Sequence, residues 1–443
     1  MTTVPQLAQT LQRVLTTTAD AAARRTGFVQ RRSKLSGAAF VQALVFGWLA
    51  NPQATVAALT QAAAVAGVAI SPQGLDQRFT EAAAAFLEDV LAAAVRAVVS
   101  AEPVAIPLLQ RFPAVVLLDT STLALPAALA SWWPGCGGGH GQNAAALKLG
   151  VRLDLCGGTL EGPRLCDGRT HDSTTPLQRA PLPHGALRLS DLGFFDLAVF
   201  KELAGRGAFW LSRLHCTTDV VDQDERRWDV LDLLEAQTAQ GAAEVDLPVR
   251  LGVRQRVPAR LLAVRVPEEV ANQRRRRLRA EAKRRGKTPR ARALAWCDWT
   301  ILVTNVPAER LSLREALVLL RARWQIELLF KLWKSHGHID ESRSGQPWRI
   351  LCEVYAKLLA MVVQHWLLLV GCWSYPDRSL VKAAQTVRQH ALHLASALAC
   401  PARLGEAITV IQRCLAAGCR LNRRHKKPNT YQLLLDPTLG GLA

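Results

Sequence analysis

The sequence predicts an α/β protein: a core of alternating strands and helices with a β-rich insertion, flanked by helical N- and C-terminal regions. Three observations predict it. From Gln6 to Ala101 the chain is rich in Ala and Leu at helical spacing, with Pro52 and Pro72 its only prolines. After Pro107 and Pro113 the texture changes to short β-branched and Leu runs. From there strand-like and helix-like segments alternate, as in an α/β layer around one sheet. The 443 residues are too many for one simple domain, and the expected division is a helical region over 1–105, an α/β region over 106–375 with the insertion at about 216–298, and a helical region over 376–443.

In the first region Ser71 reads as an N-cap and Pro72 as the first helical residue, opening a helix that displays Gln73, Gln77 and Arg78. A short helix, a turn and such a helix fit a helix-turn-helix DNA reader, and fit an ordinary helical hairpin as well. Residues 114–118 (AVVLL) read as a buried strand ending at Asp119. Leu147, Leu149, Val151, Leu153 and Leu155 alternate with Lys148, Gly150, Arg152 and Asp154, the period of a strand. A turn at Gly157-Gly158 leads to a further strand, and residues 186–190 form another that stops at Asp191. A helix near 197–204 and a strand over 209–214 follow. The insertion carries strand-like runs at 244–251 and 260–266 and then a charged helix. From Asn272 to Arg292 that helix and its loop hold ten Arg and Lys residues besides Arg292 itself, against Glu281 as the only acid. Charge of one sign at this density repels itself unless an anion sits beside it, so phosphate contact is the favoured reading over a merely solvated face. The C-terminal helices around 381–415 read either as a dimer contact or as core packing.

Lys and Arg number 55 against 36 Asp and Glu, a formal charge of +19. That excess favours a polyanionic partner, nucleic acid first, although a basic proteome would give the same number. Hydrophobic residues make up 49% of the chain, which excludes a disordered basic tail. The ten cysteines form no CxxC pair and no zinc-type spacing, so they read as reduced, mostly buried thiols of a cytoplasmic protein. The most apolar late stretch, 358–373, is interrupted by Gln364 and His365 and falls short of the roughly 20 clean residues of a membrane span.

The most informative segment begins at Ser312, which with Glu315 makes a capping box. Val318, Ala322, Ile326, Leu329 and Trp333 then form an apolar stripe along one long helix. Arg323, Glu327 and Lys334 share a second face, within about 40° of one another. Alone, that face would be a plain ion pair. Asp119 and Asp191 change the weighting, because each stands where a strand hands over to a loop. Three carboxylates converging at a sheet edge repel unless cations neutralise them, and hard oxygen ligands select Mg²⁺ or Mn²⁺. Such a site suits phosphoryl transfer, with two ions about 4 Å apart flanking the reacting phosphate.

Asp119-Thr120-Ser121, Asp191-Leu192-Gly193-Phe194 and residues 323–334 (RWQIELLFKLWK) resemble the three signature regions of bacterial insertion-sequence transposases of the DDE class, the last matching most of the Tyr-x2-Arg-x3-Glu-x6-Lys signature of insertion sequence family 4. The resemblance covers nearly the whole chain, to the basic run at Arg423-Arg424-His425-Lys426-Lys427. It implies an RNase H-like catalytic core with the insertion between the second Asp and the Glu, two Mg²⁺ ions on Asp119, Asp191 and Glu327, and DNA-phosphate contacts from Arg323 and Lys334, with Lys331 on the same helix. The implied partners are double-stranded transposon ends and target DNA, and a homodimer that pairs two ends. The family's Tyr falls at Leu320, which offers no hydroxyl to a phosphate. Trp324 and Trp299 are candidates to stack on an extruded base. The rivals are a DNA-binding protein without catalysis and a metal-dependent nuclease that never joins strands.

Overall fold

The structure is a computed structural model that describes residues 1–31, 34–137, 144–239 and 244–439. It divides into two compact units that interleave along the chain. The first comprises Met1–Ala105, Asp119–Thr170 and Gln325–Asn422; the second comprises Ile106–Leu118, His171–Trp324 and Arg423–Ala443. These differ from the three consecutive parts expected above, because the late helices pack on the early ones rather than on their neighbours in sequence.

The first unit begins with α1 (Val4–Arg13), α2 (Ala19–Arg25), α3 (Gly37–Ala50), α4 (Val56–Val65), α5 (Pro72–Asp76) and α6 (Glu81–Arg96). Its centre is a later helix, α14 (Pro347–Cys372), which packs against α3 and α6 and against α17 (Pro401–Gly418). By length and composition α14 could cross a membrane, which the sequence reading of 358–373 did not anticipate; 94% of its most apolar window is buried among these helices. A helix apolar on every side needs such an all-round cover. Glu353 and Lys357 sit inside it as an ion pair of 2.8 Å. The Lys357 ammonium also donates to the carbonyls of His338 and Glu341, each at 2.8 Å, and Ser342 Oγ donates to Glu353. The apolar faces of α15 (Leu380–Gln389), α16 (Ala391–Ala397) and α17 rest on α1, α3 and α14, the core-packing alternative for residues 381–415.

The same unit holds the later part of β1 (Val115–Leu125), with β2 (Ala145–Asp154) and β3 (Leu160–Asp167) beside it in the order β3-β2-β1. The expected strand ending at Asp119 is instead an eleven-residue strand with Asp119 in its interior, since Leu123 and Leu125 continue the buried alternation. The turn between β2 and β3 requires its glycine. Gly158 has φ +73°, and a Cβ there would stand 2.3 Å from Leu369 and 2.6 Å from the Trp373 ring. Its carbonyl faces the buried His365 Nε2 at 2.8 Å.

The second unit is a mixed sheet. Residues 115–118 of β1 pair in parallel with β4 (Leu187–Ser190), and β4 pairs in parallel with β5 (Phe209–Arg213) across the helix α8 (Leu197–Gly205), the crossover that parallel strands need. The order continues through β10 (Trp299–Thr304), β9 (Val257–Arg265) and β8 (Glu244–Leu251) to β6 (Val220–Val221) and β7 (Arg227–Trp228), all antiparallel from β5 onward. Around it lie α7 (Pro107–Gln110), α9 (Val230–Thr238), the charged α10 (Glu268–Arg284), α11 (Ala291–Ala295), α12 (Leu313–Ala322) and α18 (Thr430–Leu435). Phe200 of α8 stacks on Trp210 of β5 at 4.3 Å, inside a core that also takes Val199, Leu203 and Ile301. Ser312 and Glu315 make the expected capping box, and Glu315 reaches Arg111 at 2.6 Å.

The long helix expected from Ser312 is two helices. Arg323 interrupts it as the C-cap of α12, and α13 runs over Trp324–Ser335. The apolar stripe is buried as expected from Val318 to Trp333. The thiols differ from expectation: none of the ten is in a disulfide, but only Cys156, Cys352, Cys372 and Cys419 are buried, the others lying on loops, on helices and, for Cys166, on the outer strand β3.

Candidate active site

Asp119 is half-buried, and the backbone N–H of Thr120 donates to its Oδ1 at 2.8 Å. The β1–β4 ladder ends on the pair Leu118↔Ser190, so each aspartate directly follows its last pair, Asp119 within β1 and Asp191 just past the end of β4. Asp191 is exposed, and its Oδ1 accepts from the Leu192 N–H at 2.6 Å as the cap of a short turn over Leu192–Phe194. Gly193 in that turn lies against Asp172, whose Oδ2 would be 2.9 Å from an added Cβ. Glu327 is half-buried in the first turn of α13, an end of the helix whose dipole favours a carboxylate. Two turns further on, the Lys334 ammonium donates to the Thr122 carbonyl of β1 at 2.9 Å. Lys331 is exposed on the same helix.

Among the described residues no three His, Cys, Asp or Glu side chains are gathered closely enough to hold a metal ion. Asp191 accepts from its own backbone. The chemistry of Asp119, Asp191 and Glu327, three carboxylates with neither thiolate nor imidazole, is that of a hard-cation donor set.

The second unit contains a cationic cavity of about 280 Å³. Arg213 of β5, Arg274 of α10, Arg314 and Arg321 of α12, Leu320 and Trp324 are among its walls, and no acid lines it. Arg274 is fixed there, donating to the Trp299 carbonyl at 2.8 Å and to Thr300 Oγ1 at 3.0 Å. Burial, and then the neighbouring Arg213, hold its pKa below the usual arginine value. Trp324 is 57% exposed and free to stack, whereas Trp299 is 9% exposed within the core and is not available to a base. The sequence reading singled out Trp324 and Leu320 and held Arg274 within the cationic run of 272–292, but missed Arg213, Arg314 and Arg321. Arg314, Leu317 and Arg321 recur at helical spacing, a second signal on the helix that carries the apolar stripe.

Of the N-terminal candidates, Ser71 caps its helix as expected, with Oγ accepting from the Gly74 N–H at 3.1 Å. That helix has five residues. Gln73 and Gln77 are exposed. Arg78 lies over the Phe28 ring at 4.7 Å and donates to the Phe28 carbonyl at 3.3 Å, so part of its bonding capacity is used inside the unit.

Residues 110–363 match the family model of the transposase DDE domain. The chain belongs to the DDE transposase family. It is similar to the transposase of insertion sequence element IS231F from Bacillus thuringiensis subsp. israelensis, 25% identical over 440 residues that cover 93% of this chain and 91% of that protein. It is also 26% identical over 361 residues to the IS231B transposase of B. thuringiensis subsp. berliner, covering 77% and 75% of the two chains. The IS1151 transposase of Clostridium perfringens is 22% identical over 366 residues, covering 77% and 76%. This DDE transposase is therefore an enzyme acting on DNA phosphodiester bonds, of a family that implies an RNase H-like fold and divalent-metal dependence; its mixed sheet with helices is consistent with that fold.

Proposed function

We propose that this transposase cuts the ends of its own insertion sequence and joins them to target DNA, with Asp119, Asp191 and Glu327 as the catalytic acids. The observation that carries the reading is the end of the β1–β4 ladder, since both aspartates directly follow its last pair. The tether from Lys334 to Thr122 supports Glu327 as the third member. Three residues of strand and seven of helix each rise about 10 Å, so the step from Asp119 to Thr122 matches the step from Glu327 to Lys334. The three carboxylates would hold two Mg²⁺ ions, Mn²⁺ serving as well, which supply an activated oxygen nucleophile and stabilise the leaving oxygen.

The chain's own residues bind and orient the DNA. Arg323, Lys331 and Lys334 contact the phosphates of the transposon end, and Arg213, Arg314 and Arg321 draw a nucleotide of that end into the cavity, where Trp324 stacks on its base. Leu320, at the wall of that cavity, withholds the hydroxyl of the family's Tyr and weakens this grip. Gln73, Gln77 and Arg78 in the helical region over 1–105 add contacts further along the duplex, and two copies act together so that paired ends are joined.

The test is cleavage of a DNA carrying the element's ends by the purified full chain. Mg²⁺-dependent nicking and joined products are expected, with EDTA abolishing both and Asp119→Ala or Glu327→Ala lowering them by at least 10³-fold. Nicking without joined product would make the enzyme a nuclease. Unchanged cleavage by both variants would overturn the site.

A further inference from the structure

The charged helix α10 separates its cations into two sets. Arg274 bonds to β10, Arg275 pairs with Asp298 and Asn272, and Arg285, just past the helix, pairs with Glu281. Arg292 beyond it pairs with Asp229 and Asp232. Arg276, Arg277, Arg279, Lys283 and Arg284 are a different group, each exposed or nearly so, and they make no ion pair among the described residues; Lys287 follows them in the loop. At about 100° per residue these five cations fall within an arc of about 160°. Ala271, Leu278 and Ala282, the covered positions of the helix, lie on the opposite side. The stripe is about 12 Å long, close to the width of a DNA major groove, about 12 Å.

We propose that this face of α10 is a sequence-independent phosphate grip for duplex DNA, the kind of contact a target molecule of arbitrary sequence requires. The proposal rests on the DNA-joining reading above and adds a binding surface distinct from the acids and from the cationic cavity. Three features support it. Cations at this density repel one another, and the acids within reach are already engaged by the other set. The half-buried arginines Arg274 and Arg275 anchor the helix to β10 and to Asp298, so the stripe is held in place before DNA arrives. Between Arg276 and Lys287 the polar side chains are guanidinium and ammonium groups, which suit phosphate oxygens, and Glu281, which Arg285 holds.

The test uses the full chain and two 30-base-pair duplexes of unrelated sequence, neither containing the element's ends, with binding measured by fluorescence anisotropy from 50 to 400 mM salt. The variant Arg276→Gln/Arg277→Gln/Arg279→Gln/Lys283→Gln is expected to bind both duplexes at least tenfold more weakly at 100 mM salt. Its log–log salt slope should be shallower by about 3 to 4, the loss of four phosphate contacts. The charge-keeping variant Arg276→Lys/Arg277→Lys/Arg279→Lys should retain the slope. An unchanged slope in the Gln variant, equal losses in the Gln and Lys variants, or an effect confined to one duplex would overturn the proposal. Mg²⁺-dependent nicking of end DNA, followed in parallel, reports separately on the reading of Asp119, Asp191 and Glu327.

Discussion

Two helices of this transposase treat charge in opposite ways. In α14 the ion pair Glu353–Lys357 is enclosed by the helix's own surroundings, and hydrogen bonds satisfy the remaining atoms of both groups. In α10 the cations on the inner face are hydrogen-bonded or ion-paired, and those on the outer face make no ion pair among the described residues. A charge that the chain satisfies internally reports on stability. A charge left over on a rigid element reports on a partner outside the chain. The difference can be broken or sharpened by measuring where each helix loses free energy when its charge is removed.

The largest effect is expected in α14. Lys357→Met leaves Glu353 as a buried carboxylate without its cation and frees two carbonyls at His338 and Glu341, so a loss of about 3–5 kcal/mol is expected in urea unfolding. A loss under 1 kcal/mol would show that the interior of this unit tolerates charge, and the contrast with α10 would fail.

A second expectation concerns pH. Burial lowers the pKa of His365 to about 4, against an ordinary value of 6.5. Its folded-state pKa is depressed, so the unfolded chain takes up the proton first as pH falls. The stability contributed by the neutral ring is complete above about pH 6.5 and is lost progressively as the pH falls toward 4. Between pH 7 and pH 5 the wild type should lose about 2 kcal/mol more than His365→Gln. Parallel pH profiles for the two proteins would mean that the fold takes up the proton at His365 as readily as the unfolded chain does.

The sequence disclosed these elements unevenly. The strands at 187–190, 209–213, 244–251 and 257–265 and the capping box at Ser312 were legible, because period-two alternation and cap chemistry act within a few residues. Asp119 was legible as a residue of interest but not as the interior of an eleven-residue strand, since the continuation through Leu125 depends on β2 beside it. The break at Arg323 was invisible for a similar reason: good helix formers lie on both sides, and only the tertiary packing divides α12 from α13. The cationic cavity was half legible. Arg314 and Arg321 share one helix, but Arg213 and Arg274 join them from a strand and a helix far away in the chain.

The smallest expected effect is also the one that tests the contrast most directly. Arg279 stands three residues from Arg276 and four from Lys283, and like charges at those spacings destabilise a helix by about 0.2–0.5 kcal/mol per pair. Arg279→Gln relieves both pairs and removes no ion pair among the described residues, so at 20 mM salt it should raise stability by a few tenths of a kcal/mol. The gain is electrostatic between exposed groups and should vanish near 1 M salt, where the screening length falls to about 3 Å. The direction of the change decides the point. A helix whose outer charges served the fold would be weakened by Arg279→Gln at every salt concentration, whereas a helix that carries them for DNA is strengthened in isolation and weakened only in its complex.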